Sequence, residues 1–308
     1  MTVIKLGTRG SKLALTQSGW VKQRIESAHP DVRVELVRIR TTGDKMVDSP
    51  LSKIGGKGLF VKEIETALLE REVDLGVHSM KDLPAELPPG LEVRVYPERE
   101  DPRDVFLSLG FSSFRELPEG STVGTGSLRR STQLLHARPD IRIVPTRGNV
   151  DTRMQKMEKG EFEAVILAAA GLNRLGLESR VTHLFPMDEL LPAIGQGALC
   201  LETREGDSAL LDLLRFLHHE ETALTVRAER ELLKTLGGGC QVPIAGNARL
   251  LGEEIALDGM VAELDGTRII RDRMSGGKED PERIGRALAE RLLASGADDI
   301  LARIYKQA

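Results

Sequence analysis

A chain of 308 residues with 40% hydrophobic and 29% charged content has room for two or three globular domains and an ample core. Residues 1–30 carry charges throughout and hold no apolar run long enough for a signal peptide or a membrane span, so a soluble cytoplasmic protein away from any membrane is expected; two cysteines, Cys200 and Cys240, exclude a disulfide scaffold. A net charge of −4 and 3% aromatic content argue against nucleic acid as partner, while residues 121–153 concentrate Arg129, Arg130, Arg138, Arg142, Arg147 and Arg153 against Asp140 and Asp151, a local +4 that suits small anions.

Residues 3–7 read as a buried strand that turns through Thr8-Arg9-Gly10-Ser11 into a helix with Leu13, Trp20, Val21 and Ile25 as apolar positions and Ser11 as N-cap. Helix N-termini collect anions, so Arg9 and Ser11 stand either at a carboxylate site or at a plainly capped helix with a solvated arginine. A strand at 32–39 leads into a polar segment containing Lys53, Gly55, Gly56, Lys57 and Gly58. Leu51 stands where a phosphate loop needs its first glycine and no Ser or Thr follows Lys57, so nucleotide binding is rejected and a mobile basic flap is expected. Residues 59–72 form an amphipathic helix with Phe60, Ile64, Ala67 and Leu68 on its core stripe.

A strand at 75–77 ends in His78-Ser79-Met80-Lys81-Asp82-Leu83-Pro84, a polar group where open α/β sheets bind ligands, although Asp before Pro is equally turn chemistry. His78 lacks a second His or Cys at ligand spacing, so it is expected to be structural and metal catalysis is disfavoured. After a strand at 91–96, the charged run 98–104 reads as a hinge, and a second α/β unit follows with strands at 105–109, 122–124, 141–144 and 164–168 and helices from Ser127 and Val150. Gly124-Thr125-Gly126-Ser127-Leu128-Arg129-Arg130 joins strand, glycine turn and helix start but lacks the third glycine of a dinucleotide fingerprint. Arg147 with Arg153, and then Arg174, repeat an arginine beyond a strand end, which points to a cation-lined cleft.

Residues 190–201 suggest a crossing back to the first unit, and a helical stretch after Asp207 carries His218 and His219 as surface residues. Strands at 255–261 and 268–274 and a helix at 281–293 complete a small α+β domain. Cys240 sits on its entrance loop, Leu-Gly-Gly-Gly-Cys-Gln-Val-Pro, where three glycines imply unusual backbone angles. Taken alone, the octapeptide fits a small buried Cys after a helix end or an accessible thiol for covalent attachment.

In combination, Thr8-Arg9-Gly10-Ser11, Gly55-Gly56-Lys57-Gly58-Leu59-Phe60, His78-Ser79-Met80-Lys81-Asp82, Gly124 to Arg130, Arg147-Gly148-Asn149 and Gly239-Cys240 resemble the porphobilinogen deaminase family over essentially the whole chain. The resemblance implies a transferase that condenses four porphobilinogen molecules into the linear tetrapyrrole hydroxymethylbilane with loss of ammonia, needing neither nucleotide nor metal. It implies α/β architecture with two lobes like type II periplasmic binding proteins and a small α+β domain: domain 1 at 1–98 and 197–217, domain 2 at 103–192 and domain 3 at 220–308. It also implies a dipyrromethane cofactor joined by a thioether to Cys240, with Asp82 the catalytic carboxylate, and a monomer is expected.

By motif, the resemblance assigns Lys81, Asp82, Ser127, Arg129 and Arg130 to the cofactor and Arg9, Ser11, Gln17, Thr125, Arg147, Arg153 and Arg174 to the substrate. Lys53, Lys57 and Phe60 fall to the flap. Gly126 departs from the pattern, since many relatives place Ser there. A noncatalytic bilobal carboxylate-binding protein would share the cleft without needing Cys240 or Asp82. A simple thiol enzyme is weaker, since no His is placed to activate Cys240 and no second Cys lies at redox spacing.

Overall fold

The computed structural model describes residues 2–45, 60–239 and 242–307; Lys53, Lys57 and Cys240 lie outside the described residues. The chain begins β1 (Thr2–Thr8), α1 (Lys12–Ala28), β2 (Val32–Arg38), α2 (Thr42–Lys45), α3 (Lys62–Leu69), β3 (Leu75–Ser79) and β4 (Leu91–Val95). It continues β5 (Asp104–Ser108), β6 (Thr122–Gly124), α4 (Leu128–Ala137), β7 (Arg142–Val144), α5 (Val150–Glu158), β8 (Ala164–Ala168), α6 (Ala169–Arg174) and β9 (His183–Leu184). The last part holds β10 (Leu199–Arg204), α7 (Ser208–Leu214), α8 (Glu220–Thr235), β11 (Ile244–Leu251), β12 (Glu254–Ala262), β13 (Ile269–Gly277), α9 (Pro281–Leu292) and α10 (Asp298–Gln307).

Two five-stranded sheets share one plan. The first has the order β2-β1-β3-β10-β4 and the second β7-β6-β8-β5-β9. In each, three parallel strands (β2, β1, β3; β7, β6, β8) are joined by an antiparallel strand from a chain crossing: β10 beside β3, β5 beside β8. The inner strands β3 and β8 are buried almost throughout, as parallel strands covered on both faces are, whereas edge strand β2 alternates buried and exposed residues. Ile4, Leu6, Leu75, Val77 and Leu201 pack with Val21 and Ile25 in the first lobe, and Phe106, Val123, Ile166 and Leu134 pack together in the second. A third sheet, β11-β12-β13, is antiparallel and lies against α8 and α9 through Ile255, Leu257, Leu232, Leu288 and Leu292.

The chain passes between lobes twice, at 96–103 and at 192–198, and the second passage needs glycine. Gly197 has φ 89°, and a Cβ there would meet the Glu100 carbonyl oxygen at 2.3 Å. Gly195 has φ 69°, and a Cβ there would meet Met80 Cγ at 2.6 Å and Lys81 N at 3.2 Å. The two crossings therefore lie backbone to backbone against the turn after β3.

Several sequence expectations are corrected. Phe60 lies in a turn ahead of α3 rather than on its core stripe, half-buried with the Arg9 guanidinium 4.3 Å above its ring. The run 98–104, read as a hinge, extends one residue into a strand: Asp104 opens β5 and is fully buried. His218 and His219 sit at a helix boundary, where His219 Nδ1 caps α8 by accepting from Thr222 N at 3.4 Å. β11 and α10 were not foreseen, and a π-helical turn with Gly296 at φ 98° separates α9 from α10.

Candidate active site

Each lobe presents the carboxyl ends of its parallel strands to the crossings, which is where α/β sheets bind ligands. Beyond β1, Arg9 is followed by Ser11, whose Oγ caps α1 by accepting from Ala14 N at 3.3 Å. Beyond β3, Met80–Asp82 form one 3-10 turn that carries Lys81 and Asp82, both half-buried. Gln17, buried in α1, donates to Ser79 Oγ at 3.2 Å and so braces that turn. Beyond β6, the buried Thr125 accepts from Ser127 N at 3.2 Å, and Ser127 Oγ caps α4 by accepting from Arg130 N at 3.4 Å. Arg147 follows β7, Arg153 stands in α5 and Arg174 ends α6 after β8.

Arg129 and Arg130 are not two open cations. Both are 5% exposed, and they share the buried Asp104. Arg129 Nη1 reaches Asp104 Oδ2 at 2.6 Å and the Leu191 carbonyl at 2.8 Å; Arg130 Nη2 and Nε reach Asp104 Oδ1 at 2.7 and 3.0 Å, and its Nη1 reaches the Ile166 carbonyl at 3.1 Å. Burial pushes the Asp104 carboxyl up, but the two guanidinia outweigh it and hold it well below the usual range. Two guanidinia on one carboxylate leave this buried group with an excess of one positive charge. Arg138 and Arg142 leave the cleft count altogether: Arg138 is paired with Asp140 at 2.5 Å, and Arg142 opens β7, the opposite end of that strand from Arg147.

The remaining cations are desolvated. Burial pulls Lys81 down to about 8, with Asp82 opposing and Arg130 adding to the fall. Burial pulls Arg153 down to about 10, with Arg130 and Arg147 adding and Asp82 opposing, and it pulls Arg174 to about 10 against Glu100. All three remain charged at neutral pH, and the interactions tie both lobes into one field around Asp82. Among the described residues, Arg153 and Arg174 donate only to backbone carbonyls, Gly148 at 2.8 Å and Gly197 at 2.6 Å. Partly buried guanidinia without a carboxylate partner suit ligand carboxylates.

Sequence reasoning missed Gln196 and the Arg99–Glu229 pair. Gln196, 1% exposed, donates to the Pro102 carbonyl at 2.6 Å and to Asp104 Oδ1 at 2.9 Å, and accepts from Lys81 Nζ at 3.5 Å. Arg99 makes a two-pronged ion pair with fully buried Glu229 of α8 at 2.6 and 3.1 Å, and Glu229 also accepts from Gly195 N at 2.6 Å and Ala248 N at 2.7 Å. One polar chain thus runs from the C-terminal domain through both crossings to Lys81. No strand-end arginine or motif glycine signals it.

His78 fits the structural role expected of it, standing buried 2.8 Å from Glu202 though not aligned for a hydrogen bond. Among the described residues, no group of three or more His, Cys, Asp or Glu side chains is placed to hold a metal ion. Cys200 is buried in β10, and desolvation pushes its thiol far up, so it is an inert core residue. The glycines ahead of Cys240 are closely held. Tyr305 Oη donates to the Gly237 carbonyl at 2.7 Å, and a Cβ on Gly238 would meet Ile244 Cδ1 at 2.4 Å. At Gly126 a Cβ would lie 2.6 Å from the Thr146 carbonyl oxygen, so this backbone leaves no room for a side chain there.

Fold and site define a two-lobed α/β protein with a cation-lined cleft around one carboxylate and a third domain locked to its crossings. Residues 4–212 match the family model "Porphobilinogen deaminase, dipyromethane cofactor binding domain", and residues 223–294 match "Porphobilinogen deaminase, C-terminal domain". The chain is 52% identical over 304 residues to the porphobilinogen deaminase of Geobacter sulfurreducens, covering 99% of this chain and 95% of that one. It is 53% identical over 304 residues to that of Syntrophobacter fumaroxidans, covering 99% and 98%. Among solved structures, the aliphatic sulphonate binding protein SsuA of Escherichia coli is 16% identical with a TM-score of 0.41, over 76% of this chain and 70% of that one. The chain belongs to the porphobilinogen deaminase family. It is an enzyme of the hydroxymethylbilane synthase type, acting in tetrapyrrole biosynthesis with a dipyrromethane cofactor. No helix among the described residues is long and apolar enough to cross a membrane.

Proposed function

We propose that Asp82 is the catalytic carboxylate of this deaminase and that Cys240 carries its cofactor through a thioether. The observation that supports this reading is Asp82 on the turn beyond β3, in the field of Lys81 and of Arg153, a half-buried guanidinium whose described partner is the Gly148 carbonyl. Each pyrrole ring brings an acetate and a propionate, so the donor set matches the chemistry of cofactor and substrate. Lys81, Asp82, Ser127, Arg129 and Arg130 would hold the cofactor. When bound, that group supplies a free pyrrole α-carbon as nucleophile.

Arg9, Ser11, Gln17, Thr125, Arg147, Arg153 and Arg174 hold incoming porphobilinogen by its carboxylates. Asp82 accepts its pyrrole N–H, stabilises the positive charge that grows on the ring as ammonia leaves, and assists the later loss of the ring proton. The flap with Lys53, Lys57 and Phe60 covers the ring being added. The crossings adjust as the product lengthens. On this reading the working units are domain 1 (1–98 and 197–217), domain 2 (103–192) and domain 3 (220–308), and the enzyme is a cytoplasmic monomer.

The test is the intact mass of the denatured chain after incubation with porphobilinogen, followed by peptide mapping. An adduct of two substrate units less their ammonia on the Cys240 peptide supports the assignment; the same adduct on a Cys240→Ser chain refutes it. Asp82→Asn should fold and bind carboxylates yet lose nearly all ammonia release, and normal release would remove Asp82 from its role.

A further inference from the structure

The outer face of the C-terminal sheet changes character along its length. Paired strand residues share a face, and side chains alternate with a period of two. Ala245, Met260, Ala262 and Ile269 therefore share one face, where they pack on Leu191. Further along the same face stand Arg249, Asp258, Arg271 and Arg273. These four, with Arg103 of the first crossing and the segment 186–188 of lobe 2, line a cavity of about 340 Å³.

Its lining sets four arginines, Arg103, Arg249, Arg271 and Arg273, against two carboxylates, Asp188 and Asp258. Arg249 and Arg273 share one carboxylate: Arg249 Nη2 reaches Asp258 Oδ2 at 3.1 Å, and Arg273 Nε reaches Oδ1 at 2.9 Å. Arg271 donates to the Asp188 and Met187 carbonyls at 2.7 and 3.2 Å and, among the described residues, has no carboxylate at ion-pair distance. Arg103 is paired with Asp101 at 2.6 Å. A guanidinium has five N–H donors in a rigid fork, so Arg249, Arg271 and Arg273 all keep donors beyond these contacts. None of these residues takes part in the reaction described above.

We propose that this cavity is a second anion site, for a compact multivalent oxyanion such as inorganic phosphate or a small tricarboxylate. Three guanidinia with one carboxylate between two of them match the several oxygens of such an ion better than a single acidic side chain. Because Arg271 already contacts lobe 2 backbone, an ion held there joins lobe 2 to the C-terminal domain and restrains their relative motion.

Equilibrium dialysis of labelled inorganic phosphate, with citrate as competitor, tests this on the full chain. Arg249→Gln combined with Arg271→Gln should weaken phosphate binding at this class of site by at least about tenfold while leaving turnover in phosphate-free buffer unchanged. Asp258→Asn, which frees two guanidinia from their carboxylate, should tighten binding several-fold. This opposite sign is not expected of a merely structural residue, and it keeps the test decisive should the double variant fold poorly. Citrate displacing phosphate at lower concentration would assign the site to polycarboxylates, and phosphate retained against citrate would assign it to phosphate. Unchanged binding in the double variant, or weaker binding in Asp258→Asn, would overturn the proposal.

Discussion

Asp104→Asn isolates the buried charge cluster behind the cleft. Asp104 is fully buried and accepts from Arg129 Nη1 and Nη2 at 2.6 and 3.2 Å, Arg130 Nε and Nη2 at 3.0 and 2.7 Å, and Gln196 Nε2 at 2.9 Å. The amide keeps the shape, removes the charge and turns one acceptor into a donor facing donors. Removing one partner from a buried ion group costs about 3–5 kcal/mol, because the other charges stay buried without compensation. At about 2 °C per kcal/mol for a chain of this size, the melting temperature by calorimetry should fall by about 6–10 °C. The loss should also depend on pH. The folded Asp104 carboxyl lies below its ordinary value of 3.8, so its contribution is complete above that value and drains away as pH falls below it. The gap between parent and variant should therefore narrow in acid. A variant melting within about 1 °C of the parent at neutral pH would refute the cluster's structural role.

Burial, then repulsion from Glu202, raises Glu65 from 4.5 to about 7, so the folded protein loses stability as pH climbs from 4.5 to about 7 and levels off above. Glu65→Gln should flatten that slope and gain on the order of 2 kcal/mol at pH 8, measured by urea unfolding; an unchanged slope would place the titration elsewhere. Lys81 is pulled down to about 8, so its charge and its hold on the cofactor carboxylates fade above that pH and kcat should fall there, whereas Lys81→Arg should hold kcat level to about pH 9. A parallel fall in both proteins would acquit Lys81. Gly197→Ala puts a Cβ 2.3 Å from the Glu100 oxygen at φ 89° and should cost about 2–4 kcal/mol in thermal unfolding, while an unshifted melt would mean the crossings separate freely.

The parallel strands of both lobes were legible because helix-covered strands read as short apolar runs ended by glycine and polar turns; 122–124 and 164–168 coincide with β6 and β8 residue for residue. β11 was hidden because Gly246 and Asn247 interrupt its apolar pattern, and Gly246 is required there by Ile194 Cδ1 at 2.6 Å from its Cβ position. At the site, residues just beyond strand ends could be named, since motif and strand end coincide. What could not be read was which cations are already spoken for. Asp104 looks like one more acid in a charged run, and only the fold puts it 25 positions away against Arg129 at 2.6 Å. Gln196 and Glu229 were invisible for the same reason, as both act across lobes through contacts that leave no local periodicity.

The strand order of the first sheet also sets a schedule for synthesis. Among the described residues β4 pairs only with β10, and β10 lies between β3 and β4 although it follows the whole of the second lobe in sequence. As the chain leaves the ribosome, the stretch from β5 to β9 holds every strand of its own sheet and can close first, while the lobe carrying Asp82 waits with the edge of β3 unpaired until residues 199–204 emerge. An open apolar edge is a template for pairing with other chains, so the nascent protein is most exposed to aggregation during that interval and least so once β10 has been threaded home.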